Sequence, residues 1–444
     1  MSKYYNMDPK EVHSVIASRM LADGFDLVLD LEKSHGMLLY DSRYDRKFLD
    51  FFGFFASNPV GVNHPDLNEP EFMKELIRAA KNKVTNSDIY TVEMAEFVKK
   101  FSDSVTPEYM RYFFFIDGGA LAVENALKTA FDWKIRKNFK NGEKTEKGTK
   151  IVHLKEAFHG RSGYTLSLTN TYDPRKTQYF PKFDWPRISN PKIRFPLDDR
   201  NLKEVEEKER KSLEELQEAF KKHGNDIAAF IIEPIQGEGG DNHFRKEFFE
   251  ESLKIVHEND AMYIVDEVQS GMGITGKWWA HEHFGIKPDI IAFGKKSQVC
   301  GIMVGPKVDE VEDNVFKVPS RINSTWGGNL VDMVRSKKYI EIVEKYNLLK
   351  NVEVQGKHIL EELTDIYNKY TNLVENPRGR GVMDAFDLKN EKLRDEFFNR
   401  IYSKGILVLK AGEKTIRLRP PLIVSDEDVK LFSSKVKETL SEMK

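Results

Sequence analysis

Residues 290–301, IIAFGKKSQVCG, run four apolar side chains into a glycine and then place two lysines side by side. The apolar run lies between Asp289 and Gly294, which is typical of a short buried strand. A lysine at the carboxyl end of a strand lies where open α/β sheets bind their ligands. Adjacent lysines after a strand more often form a solvated loop. The stretch therefore raises the question of whether Lys295 or Lys296 does chemistry.

The sequence around this stretch repeats the same pattern of apolar runs separated by helical or polar segments. Between Met110 and Gly301 the runs are YMRYFFFIDGG, KIVHLKEAF, DIAAFIIEPIQGEGG, AMYIVDEVQSG and DIIAFGKK. Such alternation predicts a mainly parallel sheet with crossover helices. We therefore predict an α/β fold in which this sheet forms a large domain over residues 61–334.

The two ends of the chain have a different pattern of predicted helices and strands. Beyond about residue 335, amphipathic helices are followed by the short strands VMDAFDL, ILVLK and TIRLRPPLIV. This pattern predicts a smaller α+β domain over residues 335–444. Residues 1–60 lack a core pattern of their own, so we expect them to pack with the smaller domain.

Composition and charge exclude several classes of protein. The chain has 444 residues, 32% charged and 40% hydrophobic, which is typical of a soluble globular protein with more than one core. A formal net charge of -2 argues against a nucleic-acid partner. No apolar run is long enough to span a bilayer. Asp8, Pro9 and Glu11 indicate a helix start rather than a signal peptide, and the single cysteine, Cys300, fits a reducing compartment, so we expect a cytoplasmic protein.

Each predicted strand is followed by residues of types that bind ligands or take part in catalysis. Asp117-Gly118-Gly119-Ala120 follows the first run and opens a helix, where backbone N–H groups and the helix dipole can bind a phosphate. The next three runs are followed by Phe158-His159-Gly160-Arg161, Gly237-Glu238-Gly239-Gly240 and Asp266-Glu267-Val268-Gln269. The lysine pair follows the last run. Because these strands are predicted to be parallel, we expect all five segments at one edge of the sheet.

A phosphate cup, an aromatic face, a strand-end aspartate and a strand-end lysine are together what pyridoxal phosphate requires. The lysine amine forms a Schiff base, and the aspartate keeps the pyridine nitrogen protonated so that the ring accepts electrons. Each feature alone is common in α/β proteins. Their order along one sheet therefore carries the prediction of this cofactor, and no metal site is predicted.

Two nucleotide motifs are weaker alternatives. Residues 271–276, GMGITG, match G-x-G-x-x-G after a strand, but the following KWWAHEHFG is too short and interrupted to be the helix that this motif needs. Lys296-Ser297 and the acids after YIV resemble a nucleotide triphosphatase only faintly, because the chain has no G-x-x-x-x-G-K-[ST].

The ordered motifs resemble those of a known family. DGGALAVENALK, AFHGRSGYTLSLTNT, EPIQGEGGD, DEVQSG, AFGKKSQVCG, VPSRINSTWGGN and IRLRPPL are similar to the class III (ω-amino) aminotransferases of fold-type I, over about residues 50–425. Within that family the chain is most similar to the L-lysine 6-aminotransferase branch. The resemblance implies pyridoxal 5'-phosphate as cofactor and a homodimer with active sites at the subunit interface. It also implies ping-pong transfer of the terminal amine of L-lysine to 2-oxoglutarate, giving 2-aminoadipate 6-semialdehyde and L-glutamate.

The resemblance assigns roles to single residues. Lys295 takes the place of the Schiff-base lysine, which leaves Lys296 as a neighbour. The residues that match the other cofactor contacts are Asp266 for the pyridine nitrogen, Val268 behind the ring, Gln269 for the phenolic oxygen, Phe158 for stacking, Gly119 and Ala120 for the phosphate, and Thr325 for the phosphate of the second subunit. Helix capping would be the ordinary structural role of Thr325, and core packing that of Phe158.

Two substrates must be accepted in one pocket. Arg417 matches the family's arginine for the carboxylate of the keto acid, and we expect Glu238 to neutralise it when L-lysine is bound, with neighbouring glycines allowing the movement. Arg161 is expected to bind the far carboxylate of either substrate. Strand alternation puts Arg417 and Arg419 on one face, so the sequence leaves open which of them binds the keto acid.

The sequence departs from the wider class III pattern in two places. Where relatives commonly have N-S-G-x-E, this chain has DGGAL at residues 117–121, which removes a hydroxyl near the phosphate. The lysine is followed by KSQVCG instead of a glycine-rich run. Both departures are found in the L-lysine 6-aminotransferase branch. Three alternatives stay open: an ω-aminotransferase for ornithine or 4-aminobutyrate, a mutase or racemase on the same fold, and a ligand-binding protein without catalysis.

Overall fold

Strands and helices alternate through most of the computed structural model, which describes residues 7–443. The strands are β1 (Leu38–Asp41), β2 (Arg46–Asp50), β3 (Tyr112–Ile116), β4 (Lys150–Leu154), β5 (Arg187–Ile188), β6 (Ile227–Ile232), β7 (Ile235–Gln236), β8 (Asn242–His243), β9 (Met262–Asp266), β10 (Ile290–Phe293), β11 (Cys300–Val304), β12 (Val374–Arg380), β13 (Met383–Leu388), β14 (Ile406–Leu407), β15 (Leu409–Ala411) and β16 (Thr415–Leu418).

The helical segments are of very different lengths. They are α1 (Val12–Ala17), the single turn α2 (Gly53–Ala56), α3 (Pro70–Lys81), α4 (Val92–Val105), α5 (Gly119–Lys140), α6 (Thr165–Leu168), α7 (Asp199–His223), α8 (Lys246–Glu258), α9 (Leu330–Lys345), α10 (Leu348–Lys369), α11 (Glu391–Ser403) and α12 (Asp426–Glu442). Within residues 7–443, no helix combines the length and the apolar character needed to cross a membrane.

Seven strands form the largest sheet, in the order β3–β11–β10–β9–β6–β4–β5. Neighbouring strands are parallel except β11, which runs antiparallel to both β10 and β3. Strands β6, β9 and β10 are buried along their whole length, as expected for strands covered by helices on both faces. The sheet confirms the prediction of a mainly parallel α/β fold.

Side chains of the central strands alternate between two hydrophobic clusters, one on each face of the sheet. Ile231 and Ile264 pack in the cluster that contains Trp133 of α5, whereas Phe230 packs in the cluster that contains Phe248 of α8. This alternation follows from the two-residue repeat of a strand. Because helices cover both faces, the ends of the strands are left for a site.

A second sheet has the order β12–β13–β16–β15 and is antiparallel throughout. The sequence pattern does not predict β12, because its run VENPRGR is polar and contains Pro377. The pairing of β12 with β13 also slips between Glu375 and Arg378, which accommodates the proline. The strand predicted from VMDAFDL is confirmed by β13. Of the run TIRLRPPLIV only TIRL forms a strand, β16, and the run ILVLK is divided between β14 and β15.

The amino-terminal segment joins the carboxyl-terminal part of the chain in a third sheet. Strand β2 pairs antiparallel with β1 and parallel with β14, where Leu407 lies opposite Asp50. The domain boundaries at residues 60 and 334 stay a prediction.

The turn α2 is left-handed. Phe54, Phe55 and Ala56 have φ angles of 50°, 57° and 69°, a conformation that costs about 1–2 kcal/mol for each residue with a side chain. Just before the turn, the carbonyl oxygen of Phe51 accepts a hydrogen bond of 2.8 Å from the backbone N–H of Arg419. Contacts from the body of the protein therefore hold this segment in place.

Candidate active site

The candidate site lies at the carboxyl edge of the large sheet, where β9 and β10 end side by side. Ala292 lies opposite Asp266 in parallel register, and Lys295 follows three residues later. Lys295 has a φ of 53°, in the left-handed region that residues with a side chain adopt uncommonly. Burial, with added positive charge from Arg417 and Arg419, lowers the pKa of Lys295 to about 8. A lysine with this pKa is neutral often enough to act as a nucleophile.

Lys296 has a structural role instead. It is 1% exposed, and its Nζ donates a hydrogen bond of 2.9 Å to the carbonyl oxygen of Ala56. That oxygen belongs to the left-handed turn α2. Asp50 accepts hydrogen bonds from two backbone N–H groups at the start of the same turn, at 2.7 and 3.0 Å. The structure therefore gives the two lysines different roles: Lys296 stabilises a turn that is distant in sequence, and Lys295 is at the strand ends.

Asp266 is oriented by two hydrogen bonds. Its Oδ2 is 2.8 Å from Nδ1 of His159, and its Oδ1 accepts from the backbone N–H of Val268 at 3.0 Å. Burial would lower the pKa of His159, but the hydrogen bond and charge of Asp266 outweigh it and raise that pKa. His159 therefore fixes the orientation of the Asp266 carboxyl group at the edge of the sheet.

The start of helix α5 forms the candidate phosphate site. Gly118 precedes the helix with a φ of 102°, and Gly119 and Ala120 are its first residues. A Cβ atom on Gly119 would lie only 2.7 Å from Cγ1 of Val268. The free N–H groups of the first turn and the positive end of the helix dipole suit a phosphate.

Phe158 and Gln269 are two further predicted cofactor contacts at the carboxyl edge of the large sheet. Phe158 is half-buried after β4, and its backbone N–H donates a 2.9 Å hydrogen bond to Oε1 of Glu233. Burial raises the pKa of Glu233 to about 7. Oε1 of Gln269 accepts hydrogen bonds from Arg419, at 2.9 and 3.1 Å, so this side chain is tied to the substrate arginines.

These residues fit pyridoxal phosphate. Lys295 offers an amine of lowered pKa, Asp266 a carboxylate backed by His159, and the start of α5 a phosphate site in which the absent Cβ of Gly119 leaves room for Val268. The same set does not suit a dinucleotide, because only the 3-10 turn Ala280–His283 follows the GMGITG motif.

Arg417 has an incomplete set of partners. Its Nη2 donates a hydrogen bond of 2.5 Å to Oε2 of Glu238, and its Nη1 is 3.3 Å from Oε1 of Gln269. Its Nε is buried and has no hydrogen-bond partner in the described part of the chain. The guanidinium therefore keeps a donor for another acceptor.

Arg419 is fully committed to the protein. It forms a two-pronged ion pair with Asp241, in which Nη1 to Oδ2 is 2.8 Å, and both side chains are buried. It also donates to Gln269 and to the carbonyl oxygen of Leu418. Every N–H group of Arg419 therefore has an acceptor within the protein, and the geometry favours Arg417 over Arg419 as the carboxylate-binding arginine.

Glu238 lies between two cations. Arg417 contacts its Oε2, and Lys176 contacts its Oε1. Burial alone would raise the pKa of Glu238, but Arg417 and Lys176 together hold it below its ordinary value. The loop around Glu238 is fixed: Gly412 N–H donates to its carbonyl oxygen at 3.1 Å, and a Cβ on Gly239 would lie 2.3 Å from the carbonyl oxygen of Glu156. Gly239 therefore permits close packing of this backbone, and the expected role of the neighbouring glycines in a movement of Glu238 stays a prediction.

Arg161 and Thr325 lie at the periphery. Arg161 is exposed, and none of the ion pairs among residues 7–443 involves it. Thr325 is exposed in the loop before α9, which is fastened to the 85–88 turn by a 2.9 Å hydrogen bond from Asn86 to the carbonyl oxygen of Gly328. Neither residue caps a helix. Their predicted contacts with substrate and with the phosphate of a second subunit stay predictions.

Sequence reasoning missed three residues of this site. His159 stands inside a quoted motif, and its position at a strand end is the signal that could have revealed it. Asp241 follows the glycine-rich segment directly and could have been suspected as an arginine partner. Lys176 is in a polar loop whose sequence gives no sign of contact with Glu238.

Comparisons with known proteins agree with this geometry. A family model described as aminotransferase class-III matches residues 21–440. The chain is 48% identical to the L-lysine-epsilon aminotransferase of Mycobacterium bovis over 433 residues, which cover 97% of this chain and 96% of that protein. It is 47% identical to the L-lysine-epsilon aminotransferase of Streptomyces clavuligerus, over 96% of this chain and 93% of the relative. A solved lysine aminotransferase from M. tuberculosis superimposes with a TM-score of 0.96 at 48% identity, covering 99% of this chain and 100% of that one.

Proposed function

Because the chain belongs to the class III aminotransferases, which depend on pyridoxal phosphate, we propose that it transfers the terminal amino group of L-lysine to 2-oxoglutarate. The products are 2-aminoadipate 6-semialdehyde and L-glutamate, formed in a ping-pong sequence. Support comes from relatives of 47–48% identity, whose names specify the ε-amine of L-lysine. The observation that carries the proposal is a buried arginine, Arg417, paired with the partly exposed carboxylate of Glu238.

The cofactor, when bound, supplies an aldehyde that condenses with amines and a ring that accepts electrons from the substrate carbon. Lys295 would hold that aldehyde, and its Nζ would move the proton of the reacting carbon. Asp266 would hold the ring nitrogen, with Val268 behind the ring. Gly119 and Ala120 would bind the phosphate through their backbone, Phe158 would stack on the ring, and Gln269 would contact the phenolic oxygen.

The pair Arg417–Glu238 answers the demands of two unlike substrates. L-Lysine presents a bare amine on a methylene chain, so a charged guanidinium beside it needs Glu238 as counter-ion. 2-Oxoglutarate presents a carboxylate next to the reacting carbon, and this group takes Arg417 in a two-pronged contact. Arg161 binds the carboxylate at the far end of either substrate.

This division of labour predicts unequal damage from one substitution. Glu238→Ala should slow the L-lysine half-reaction more than the L-glutamate half-reaction, because only the former leaves Arg417 without a counter-ion. Single-turnover absorbance changes of the bound cofactor measure the two separately. Equal slowing of both half-reactions would contradict the role given to Glu238.

The working unit in this proposal is a homodimer in the cytoplasm, with Thr325 reaching the phosphate of the second subunit. Large apolar side chains are exposed close to its loop, including Trp326 at 44%, Tyr90 at 77% and Ile89 at 64%. Covering them would remove apolar surface from water. The single cysteine is buried and suits a reducing compartment.

A panel of amine donors tests the function. Purified holoenzyme is given 2-oxoglutarate with L-lysine, L-ornithine or 4-aminobutyrate, and the products are identified by mass spectrometry. We expect L-lysine to react fastest, with loss of its ε-amine and formation of L-glutamate. A faster reaction with either other donor would reassign the substrate, and turnover without any keto acid would indicate a mutase or racemase.

A further inference from the structure

Glu238 is held by two positive charges on opposite oxygens. Arg417, which is 2% exposed, contacts Oε2 at 2.5 Å, and Lys176 contacts Oε1 from the more exposed side. The exposed fractions of the Lys176 and Glu238 side chains are 25% and 20%. One carboxylate thus connects a buried guanidinium inside the site with an ammonium group near its mouth.

Lys176 lies at the end of a short turn. It is the last residue of the 3-10 turn Pro174–Lys176, which Asp173 caps by accepting from the backbone N–H of Arg175 at 3.1 Å. Its four-carbon stem is flexible, in contrast to the planar fork of an arginine. A polar cleft of about 280 Å³ adjoins both Lys176 and Glu238. The carboxylate therefore has space on the side away from Arg417.

The backbone next to Glu238 is held by hydrogen bonds, so a rotation of the side chain alone is the simplest way to uncover Arg417. The carbonyl oxygen of Glu238 is held by Gly412 N–H, and the carbonyl oxygen of Gly240 is held by Nη2 of Arg378. Displacing Glu238 from Arg417 without another cation would leave a largely buried carboxylate unpaired, which is costly. With Lys176 in place, the displaced carboxylate keeps one charged partner.

We propose that Lys176 is the docking partner that receives Glu238 whenever a substrate carboxylate takes Arg417. Lys176 is then a positioning residue that lowers the energy needed to open the site for a dicarboxylate, and it has no part in binding L-lysine. This role rests on the proposed function, since it concerns the two half-reactions of that enzyme.

The test compares Lys176→Gln with Arg175→Gln in the holoenzyme. Both remove one positive charge from the same turn, but only the first removes it from Glu238, because Arg175 pairs with Asp173. In single-turnover measurements Lys176→Gln should raise the apparent Kd for 2-oxoglutarate about fivefold. The L-lysine half-reaction should stay within about twofold of the wild type. Lys176→Arg should restore 2-oxoglutarate binding, and Arg175→Gln should behave as the wild type.

A double substitution separates docking from a general effect on structure. In a Glu238→Gln background no carboxylate remains for Lys176 to receive, so adding Lys176→Gln should change the Kd for 2-oxoglutarate less than twofold. An undiminished effect in that background, or equal losses in both half-reactions of the single variant, would overturn the proposal.

Binding of glutarate, a dicarboxylate that cannot react, gives a readout independent of the reaction. Calorimetry on holoenzyme should show weaker glutarate binding in Lys176→Gln and unchanged binding in Arg175→Gln. If the enzyme does not transaminate L-lysine but glutarate binding still depends on Lys176, the proposed function fails and the docking role stands. If glutarate binds equally well to both variants, the docking role fails.

Discussion

Arg417 and Arg419 point from the same strand face into the same site, yet the protein treats them in opposite ways. The guanidinium of Arg419 forms an ion pair with Asp241, a buried carboxylate, and a hydrogen bond with Gln269. The guanidinium of Arg417 forms an ion pair with Glu238, whose side chain is partly exposed and also contacts Lys176. We infer that the role of each arginine depends on its carboxylate partner: a fully buried partner makes Arg419 structural, and a partly exposed one leaves Arg417 for a ligand.

The same contrast holds for the adjacent lysines. Burial lowers the pKa of both lysines, but the amine of Lys296 is bound to the carbonyl oxygen of Ala56, whereas Lys295 stands at the strand ends. In each pair one side chain is bound by the protein and the other is available to a ligand. Four experiments test whether the two members of each pair differ in this way.

The largest effect is expected from the lysines. Lys295→Ala should abolish the borohydride-trapped adduct of the cofactor, because the amine of the adjacent Lys296 is bound to the carbonyl oxygen of Ala56. Lys296→Met should keep the adduct but lower the melting temperature, since the left-handed turn loses its hydrogen bond at Ala56. Mass spectrometry of the reduced holoprotein identifies the labelled peptide. An adduct on Lys296 would reverse the comparison.

The arginines should differ in stability and in binding. Arg419→Met leaves the buried carboxylate of Asp241 unpaired, which should cost about 3–5 kcal/mol in the free energy of unfolding. Arg417→Met should cost about 1 kcal/mol or less, because Glu238 keeps Lys176, but should weaken 2-oxoglutarate binding about 100-fold.

Chemical denaturation and half-reaction kinetics measure these two quantities for each arginine variant. A loss of stability in Arg417→Met as large as that in Arg419→Met would show that both arginines are structural, and the distinction drawn from their partners would fail.

The neighbouring glycines of the phosphate site allow a third test. Gly119→Ala should lower cofactor affinity about tenfold, because its Cβ would meet Val268 at 2.7 Å. Val268→Ala should restore part of that loss. Gly118→Ala meets no atom within 4 Å but strains a φ of 102°, so Val268→Ala should not rescue it. Fluorescence titration of the apoprotein with pyridoxal phosphate measures each affinity.

The smallest effect concerns pH. Since the pKa of Lys295 is lowered to about 8, its amine is mainly protonated below that pH and mainly neutral above it. The rate at which the apoprotein captures pyridoxal phosphate should therefore rise through about pH 8. Arg417→Met removes one positive charge that lowers this pKa, so its midpoint should move to higher pH. Stopped-flow absorbance measures the profile, and a midpoint that moves down would contradict the assignment.

Much of this arrangement is readable from the sequence because parallel strands follow a strong local rule. Continuous apolar runs such as IAAFII and MYIVD predict buried strands, and the residues after them must meet at one edge. The fold and the positions of Lys295 and Asp266 follow from this rule. The strand β12 does not, since a proline and a bulge hide it from its pattern.

What the sequence could not supply is the choice between like residues. Lys296 is structural only because a turn 240 positions earlier presents the carbonyl oxygen of Ala56. Arg419 is structural only because Asp241, three residues after Glu238, is buried beside it. These are long-range pairings between loops, and no local periodicity encodes them. The docking of Lys176 on Glu238 has the same origin.

The segment around the left-handed turn has a consequence for synthesis on the ribosome. Residues 50–57 are fastened by Lys296 and by the backbone of Arg419, which are translated about 240 and 370 residues later. During translation the left-handed turn therefore cannot gain its backbone contact with Arg419 until residue 419 has been added. We expect a nascent chain that stops before residue 417 to lack both this contact and the arginine that we assign to the keto-acid carboxylate.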